Sequence, residues 1–291
     1  MRTGLKRFGA AGLAMLVGAT TAQALTVPEA TISYEYVAGA GNESAGPFSE
    51  TLTGADIGNL TVEAPARDSE GRAGVVAINA TLGRQPTVSV FAGATNTLPT
   101  RPTAILGAGG SGSISLEYFV TLEPADPGRI ANVPVMIEAV GAAAAAESGV
   151  NARAAARGSL SVDGNNLRAS VEAESGDAEA GPRSFRTSST LFIRCSIGGC
   201  RPLPVQMTAF ASAGASNTGS DASPGVAAGT VTIDPLFTVD PAFADDFTLR
   251  YSPAIEAAIA REIAAAAVPA PGAFGLLALG LGGLAALRRR R

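Results

Sequence analysis

Ser113-Ile114-Ser115-Leu116-Glu117-Tyr118-Phe119-Val120-Thr121-Leu122 alternates two kinds of side chain. Ile114, Leu116, Tyr118, Val120 and Leu122 share one parity; Ser113, Ser115, Glu117 and Thr121 share the other, and Phe119 is the exception. A repeat of two residues puts alternate side chains on opposite faces of an extended chain, so this stretch reads as a half-buried β-strand. The pattern recurs in Val133, Val135, Ile137 and Ala139, and again in Val205, Met207, Ala209 and Ala211. Thr31 to Val37, Thr87 to Ala92, Val231 to Ile233 and Phe247 to Tyr251 read as further strands.

The alanine-rich middle sets propensity against pattern. Ala142 to Ala146 and Ala152 to Ala156 favour helix by intrinsic preference. From Ala152 to Val162, however, Ala152, Ala154, Ala156, Gly158, Leu160 and Val162 alternate with Arg153, Ala155, Arg157, Ser159 and Ser161. Asp163-Gly164-Asn165-Asn166 is a turn sequence, and alternation resumes with Leu167, Ala169, Val171 and Ala173. We read 152–174 as a β-hairpin rather than a helix, with inward side chains so small that two sheets must pack closely there. Short antiparallel strands with Gly, Pro, Asn and Asp between them indicate an all-β, antiparallel β-sandwich, jelly-roll-like in type. Near the end, Ser252-Pro253 has the form of a helix start, and Ile255, Ile259 and Ile263 recur every four residues. That helix is expected to pack on the sandwich edge or to form a stalk.

Both termini carry addresses. Arg2, Lys6 and Arg7 precede an apolar stretch from Phe8 to Ala19, and Ala22 and Ala24 are the small residues that signal peptidase requires. This reads as an N-terminal signal peptide, with the mature chain beginning near Leu25. At the other end, Val268-Pro269-Ala270-Pro271-Gly272 leads into an apolar run from Ala273 to Leu287 and then Arg288, Arg289, Arg290 and Arg291. The run would make a helix of roughly 22 Å, short for a bilayer core of about 30 Å. The four arginines keep it from passing fully through, which places everything before Val268 outside the cytoplasm. Pro269 and Pro271 keep their neighbours extended and accessible.

On topology alone this tail is a plain single-pass anchor. The proline pair, the Gly-rich apolar run and the terminal arginines together resemble the PEP-CTERM class of C-terminal sorting signals, most closely its VPLPA-type variant. That resemblance implies processing at Val268, Pro269, Pro271 and Gly272 by an exosortase-type enzyme. Ala270 and Gly272 depart from the commonest forms of the motif. Ser113 to Val120, Val133-Pro134-Val135 and Val231 to Pro235 also look like the β-rich passengers attached to such signals. The expected organisation is a signal peptide over 1–24, a β-sandwich passenger over 25–251, a helical linker over 252–267 and a sorting signal with a transmembrane helix over 268–291.

The chain of 291 residues carries 21 basic and 25 acidic side chains. Seven of the basic ones, Arg2, Lys6, Arg7 and Arg288 to Arg291, lie in the two signals, so the passenger has 14 against 25, a net charge of −11. That disfavours nucleic acid and anionic lipid as partners. There is no His and no Trp. Ser-His-Asp and Cys-His hydrolysis, His-ligated zinc and His proton shuttles are therefore excluded, and the lone Lys6 leaves with the signal. Cys195 and Cys200 bracket Ser196-Ile197-Gly198-Gly199, and in an exported protein the expected state is a disulfide closing a tight loop. A metal site would need more ligands than that neighbourhood offers, and a redox motif usually has two intervening residues.

Carboxylates are the remaining chemistry. Asp234, Asp240, Asp245 and Asp246 form one group, and Glu172, Glu174, Asp177 and Glu179 another. Paired carboxylates serve glycoside hydrolysis or calcium binding. Against that, Asp before Pro at 234 and 240 reads as turn chemistry, and Glu172 and Glu174 as the wet face of a strand. No catalytic, cofactor-binding or metal residue is assigned on these grounds. Asn42, Asn59 and Asn79 open formal glycosylation triplets that a bacterial address makes incidental.

Two functions follow. The first is an exported, non-enzymatic protein of the cell surface or extracellular matrix, held at the inner membrane by its tail, with signal peptidase, the sorting enzyme and extracellular polysaccharide as its partners. The second is a carbohydrate-binding or glycan-acting sandwich that uses the clustered carboxylates and aromatics such as Tyr34, Tyr36 and Phe48.

Overall fold

The computed structural model describes residues 26–54, 57–97, 107–149, 151–164, 166–175, 182–216 and 225–267. The segment expected to be a signal peptide, with Ala22 and Ala24, and the expected sorting tail, with Val268, Pro269, Pro271, Gly272 and Arg288 to Arg291, lie outside them. Fourteen strands and one helix follow in order among the described residues. They are β1 (Thr31–Ala40), β2 (Glu43–Thr53), β3 (Leu60–Arg67), β4 (Ala73–Thr81), β5 (Thr87–Asn96), β6 (Gly107–Pro124) and β7 (Ala131–Ser148). Next come β8 (Ala152–Val162), β9 (Leu167–Glu174), β10 (Arg183–Ser196), β11 (Gly199–Cys200), β12 (Leu203–Ser216), β13 (Gly225–Val239), β14 (Phe247–Tyr251) and α1 (Pro253–Ala267).

The strands form two antiparallel seven-stranded sheets packed face to face. Sheet 1 runs β2-β1-β6-β12-β8-β9, with β14 also pairing β6, and sheet 2 runs β11-β10-β7-β13-β5-β4-β3. The stretch 113–122 lies in β6, and its apolar parity is buried as expected. Thr121 departs from its parity: it is buried too, and its hydroxyl donates to the Cys200 carbonyl at 2.9 Å, which satisfies it in the interior. The alanines of 142–146 and 152–156 are strand residues, and 152–174 is the expected hairpin, with Val162 paired to Leu167. Its turn places Asp163 at φ 48° and Gly164 at φ 70°, the left-handed region that Gly enters without strain and Asp tolerates.

The core is graded along its length. At one end Tyr118, Met207, Ile137, Leu160 and Ile193 fill the space between the sheets, each almost fully buried. At the other end the inward positions are Ala and Gly, and the two backbones nearly touch. A Cβ on Gly74 would lie 2.2 Å from the Gly109 carbonyl oxygen and 2.6 Å from that of Gly39; one on Gly229 would lie 2.6 Å from that of Ala155. Facing sheets usually sit about 10 Å apart, so the sandwich is a wedge whose thin end exists because these positions lack side chains.

Five strands escaped the sequence reading. Strand β2 is exposed on nearly all of both faces and so shows no alternation, β3 contains Pro65, which an edge strand tolerates, β4 is apolar on its outward row at Ala73, Val75 and Ala77 as well as inward, β10 mixes Thr and Ser into its inward row, and β11 is only two residues long. Asp234-Pro235 is a correction: it is not a turn but lies inside β13, paired to Val140 and Ala139 of β7. Pairing of β13 to β5 ends at Ile233, so beyond that point one side of the strand is open and the missing proline donor is tolerated.

Helix α1 begins at Pro253 as expected, but Ser252 does not cap it with its side chain. The Ser252 hydroxyl accepts the Phe119 backbone N–H at 2.9 Å, while the Ser252 carbonyl accepts from Ile255 and Glu256. Ile255 is fully buried, Ile259 partly so, and Ile263 is 52% exposed. The first turns dock, and Arg261 and Glu262 still reach the loops at Gly58 and Gly83, so the helix packs on the sandwich edge through 262 while its last residues are exposed.

Candidate functional site

Register across sheet 1 builds a surface that no single strand reveals. Thr51, Ser33, Ser115, Thr208, Ser159 and Ser170 are successive cross-strand partners on its outer face, one from each of six strands. At about 4.8 Å between strands, this row of hydroxyls runs for roughly 24 Å. Ser33 and Thr51 share a hydrogen bond of 3.0 Å, and Ser159 and Thr208 one of 2.7 Å. The neighbouring row is Ser49, Glu35, Ser113, Phe210, Arg157 and Glu172. There the Ser113 hydroxyl donates to Glu35 at 3.2 Å. A depression of about 460 Å³ lies over the two rows, lined in part by Phe210.

Arg157 reaches sideways to β9 and contacts Glu172 and Glu174, at 2.6 Å each. Its hydrogen bond to Glu174 and the charge of Glu172 hold its guanidinium above the ordinary arginine range. Glu172 and Glu174 are thus the wet face of a strand, as expected, each engaged by the same cation. Asp177 and Glu179 lie outside the described residues.

The other acidic group does not assemble. Asp240 accepts the Ala242 N–H at 2.9 Å, the local turn expected of Asp before Pro, and Asp246 pairs with Arg129 at 2.7 Å. Asp234 stands apart on β13, where burial raises its carboxyl pKa. Among the described residues no three His, Cys, Asp or Glu side chains converge on a point that could hold a metal ion. The aromatics do not form an open platform either. Tyr34 is buried, with its hydroxyl donating to Glu50, and burial first and that hydrogen bond second push its pKa up to about 12. Tyr36 and Phe48 stack on each other at 5.4 Å, beside a smaller depression of about 300 Å³.

Cys195 and Cys200 are joined in a disulfide, as expected, and are direct partners across the β10–β11 ladder. Both are buried, at the point where the chain crosses from sheet 2 to sheet 1. The hydroxyl rows were missed because their signal is divided among six strands; alternating Ser and Thr in 31–33, 113–115 and 159–161 was the visible part.

No family model matches the chain, and no curated protein matches it. Among solved structures, one described as carbohydrate-binding modules from the β-sandwich superfamily is 10% identical, covering 75% of this chain and 95% of its own, with a TM-score of 0.17. A structure of the infectious bursal disease virus Gt strain is 9% identical over 90% of this chain and 74% of its own, with a TM-score of 0.15. Scores this low carry no argument about fold or function. Among the described residues, no helix is long and apolar enough to cross a membrane.

Proposed function

We propose that this chain is an exported, non-enzymatic protein of the cell surface or extracellular matrix, anchored through a PEP-CTERM-like tail and meeting a hydroxyl-rich polymer with the outer face of sheet 1. The observation that carries the reading is the six-strand hydroxyl row with its depression. Hydroxyls donate and accept at once, so a row of them matches a polysaccharide chain without selecting one charge. Non-enzymatic action is supported by the lack of His and by carboxylates held in turns and ion pairs instead of facing each other. The carbohydrate-binding half of the alternative is favoured by the same row; nothing specific favours the glycan-acting half. The jelly-roll-like reading is supported by the chain's passage between sheets from β5 through β8.

Affinity electrophoresis of the protein in neutral and acidic polysaccharides tests the face. Retardation should fall when Ser115, Thr208 and Ser159 become Ala together. No retardation in any polymer would remove the binding face, and turnover lost on Asp245→Asn and Asp246→Asn would sink the non-enzymatic reading. Intact mass of the native envelope protein tests the tail. A product ending near 268–272 is expected, and one retaining Arg288 to Arg291 in a cell with its sorting machinery would leave a simple anchor.

A further inference from the structure

Large apolar side chains exposed at the surface are unevenly distributed. Among the described residues the three most exposed are Ile130 and Ile197, at 67% each, and Phe192, at 64%. The ladder brings all three to one end of sheet 2. Cys195 pairs with Ala131 and Phe192 with Pro134, so Ile130 lies one step beyond the Cys195 row and Ile197 is in the turn that the disulfide closes. This is the wide end of the wedge, the rigid end, where Thr121 of sheet 1 also holds the Cys200 carbonyl. A flexible loop could fold such side chains away; a disulfide-closed two-strand turn keeps Ile197 where it is.

Charge at this end is mixed: Asp126 and Asp240 accept local backbone N–H groups, Asp245 and Arg194 are exposed, and two ion pairs lie among them. Asp163 pairs with Arg201 at 3.0 Å and Asp246 with Arg129 at 2.7 Å. The three apolar side chains therefore stand among charged groups of both signs, within a passenger of net charge −11. The next most exposed large apolar residue is Ile263, at 52%, in the exposed last turns of α1. Arg261 and Glu262 of that helix lie beside Gly58 and Gly83, in the loops before β3 and after β4, at the edge of sheet 2 opposite β10 and β11. After Ala267 only five residues precede the apolar run of 273–287.

We infer that the wide end is a membrane-facing tip: Ile130, Ile197 and Phe192 rest in the interface of a bilayer of zwitterionic lipid, so the sandwich stands on the membrane while the tail holds it. The proposal rests on the reading of 268–291 as a membrane segment, because that segment puts a bilayer within a few residues of α1. Interfacial burial of apolar side chains needs no net charge, which agrees with the acidic passenger. It also gives sheet 1 an orientation, with its hydroxyl face directed sideways, away from the lipid.

The absence of Trp makes the test clean. The full chain is placed in phosphatidylcholine nanodiscs as three separate variants: Ile197→Trp, Phe192→Trp and, at the thin end, Val226→Trp. All three positions are already exposed, so each variant folds. Brominated lipid should quench Ile197→Trp and Phe192→Trp at least about threefold more than Val226→Trp, since only an indole in the interface meets the bromines. Equal quenching of all three would overturn the tip. So would protection of Ile197→Trp from aqueous acrylamide without lipid quenching, which assigns the patch to a protein partner. Flotation with vesicles after an alkaline wash reads the tail separately. A chain that floats but shows no lipid quenching loses the tip and keeps the anchor; a chain that does not float loses both.

Discussion

Replacing Gly74 by alanine should push the two sheets apart at the thin end of the wedge. The added methyl would sit 2.2 Å from the Gly109 carbonyl oxygen and 2.6 Å from that of Gly39, and neither is a side chain that can swing away. Gly74 does not have a positive φ, so the substitution introduces a clash without backbone strain of its own. Overpacking of this kind costs typically 1–3 kcal/mol, and contact with fixed backbone puts it near the top, at about 3 kcal/mol. Alanine also narrows the unfolded ensemble, which returns about 0.5–1 kcal/mol. The net loss is about 2 kcal/mol, equivalent to a fall in urea midpoint of roughly 0.7 M at a slope of about 3 kcal/mol/M. Gly214→Ala on the outer face of the same end is the control, because its Cβ would meet nothing within 4 Å. The measurement is a pair of urea titrations followed by circular dichroism. Equal midpoints for the two variants would refute the close approach of the sheets, and with it the account of why Ala and Gly dominate 139–158 and 209–215.

Other perturbations follow from particular contacts. Removing the Cys195–Cys200 bond by Cys→Ser at both positions should cost about 2 kcal/mol, since it closes only a short loop; alkylation without reductant should find no free thiol in the protein isolated from its native cell. Tyr251 has its pKa raised from 10.0 to about 12, by burial first and the Glu256 charge second. A raised folded-state value means full stability below pH 10 and loss as pH climbs toward 12, about 2–3 kcal/mol for this group, which Tyr251→Phe should abolish in alkaline unfolding followed by tyrosinate absorbance. Asp68 is opposed by desolvation, yet hydrogen bonds from Arg72 and from the Glu70 N–H prevail and hold its carboxyl below the ordinary range. A depressed value gives stability that is present above the unfolded pKa and lost as pH falls through the folded one, so wild type should lose more stability than Asp68→Asn on acidification below about pH 4. Arg157→Gln should cost less than about 1 kcal/mol, and less still in high salt, because its bridges to Glu172 and Glu174 face solvent; a larger loss would mean that this pair holds β9 to the sheet.

Local periodicity was enough to place β6, the centre of β7, the 152–174 hairpin, β12 and β14, because alternation is a property of neighbours along one chain. The small inward residues of the 152–174 hairpin also announced the close approach of the sheets, since side-chain volume sets how near two backbones come. The cysteine spacing announced the disulfide for the same local reason. Strand β2 had no such signature, because exposed on both faces it has nothing to alternate, and it exists only because β1 offers it a ladder. Asp234-Pro235 was read as a turn from its dipeptide and became a strand because β7 pairs with it for its whole length while β5 leaves its other side open. The hydroxyl row and the apolar tip are wholly products of tertiary structure. Thr51 and Ser170 are far apart in the chain and share a line only through five strand pairings, and Ile130 comes to the same end of sheet 2 as Ile197 only because Ala131 pairs with Cys195. Pairing order and register depend on which distant surfaces bury each other best, and no repeat within a single segment encodes that choice.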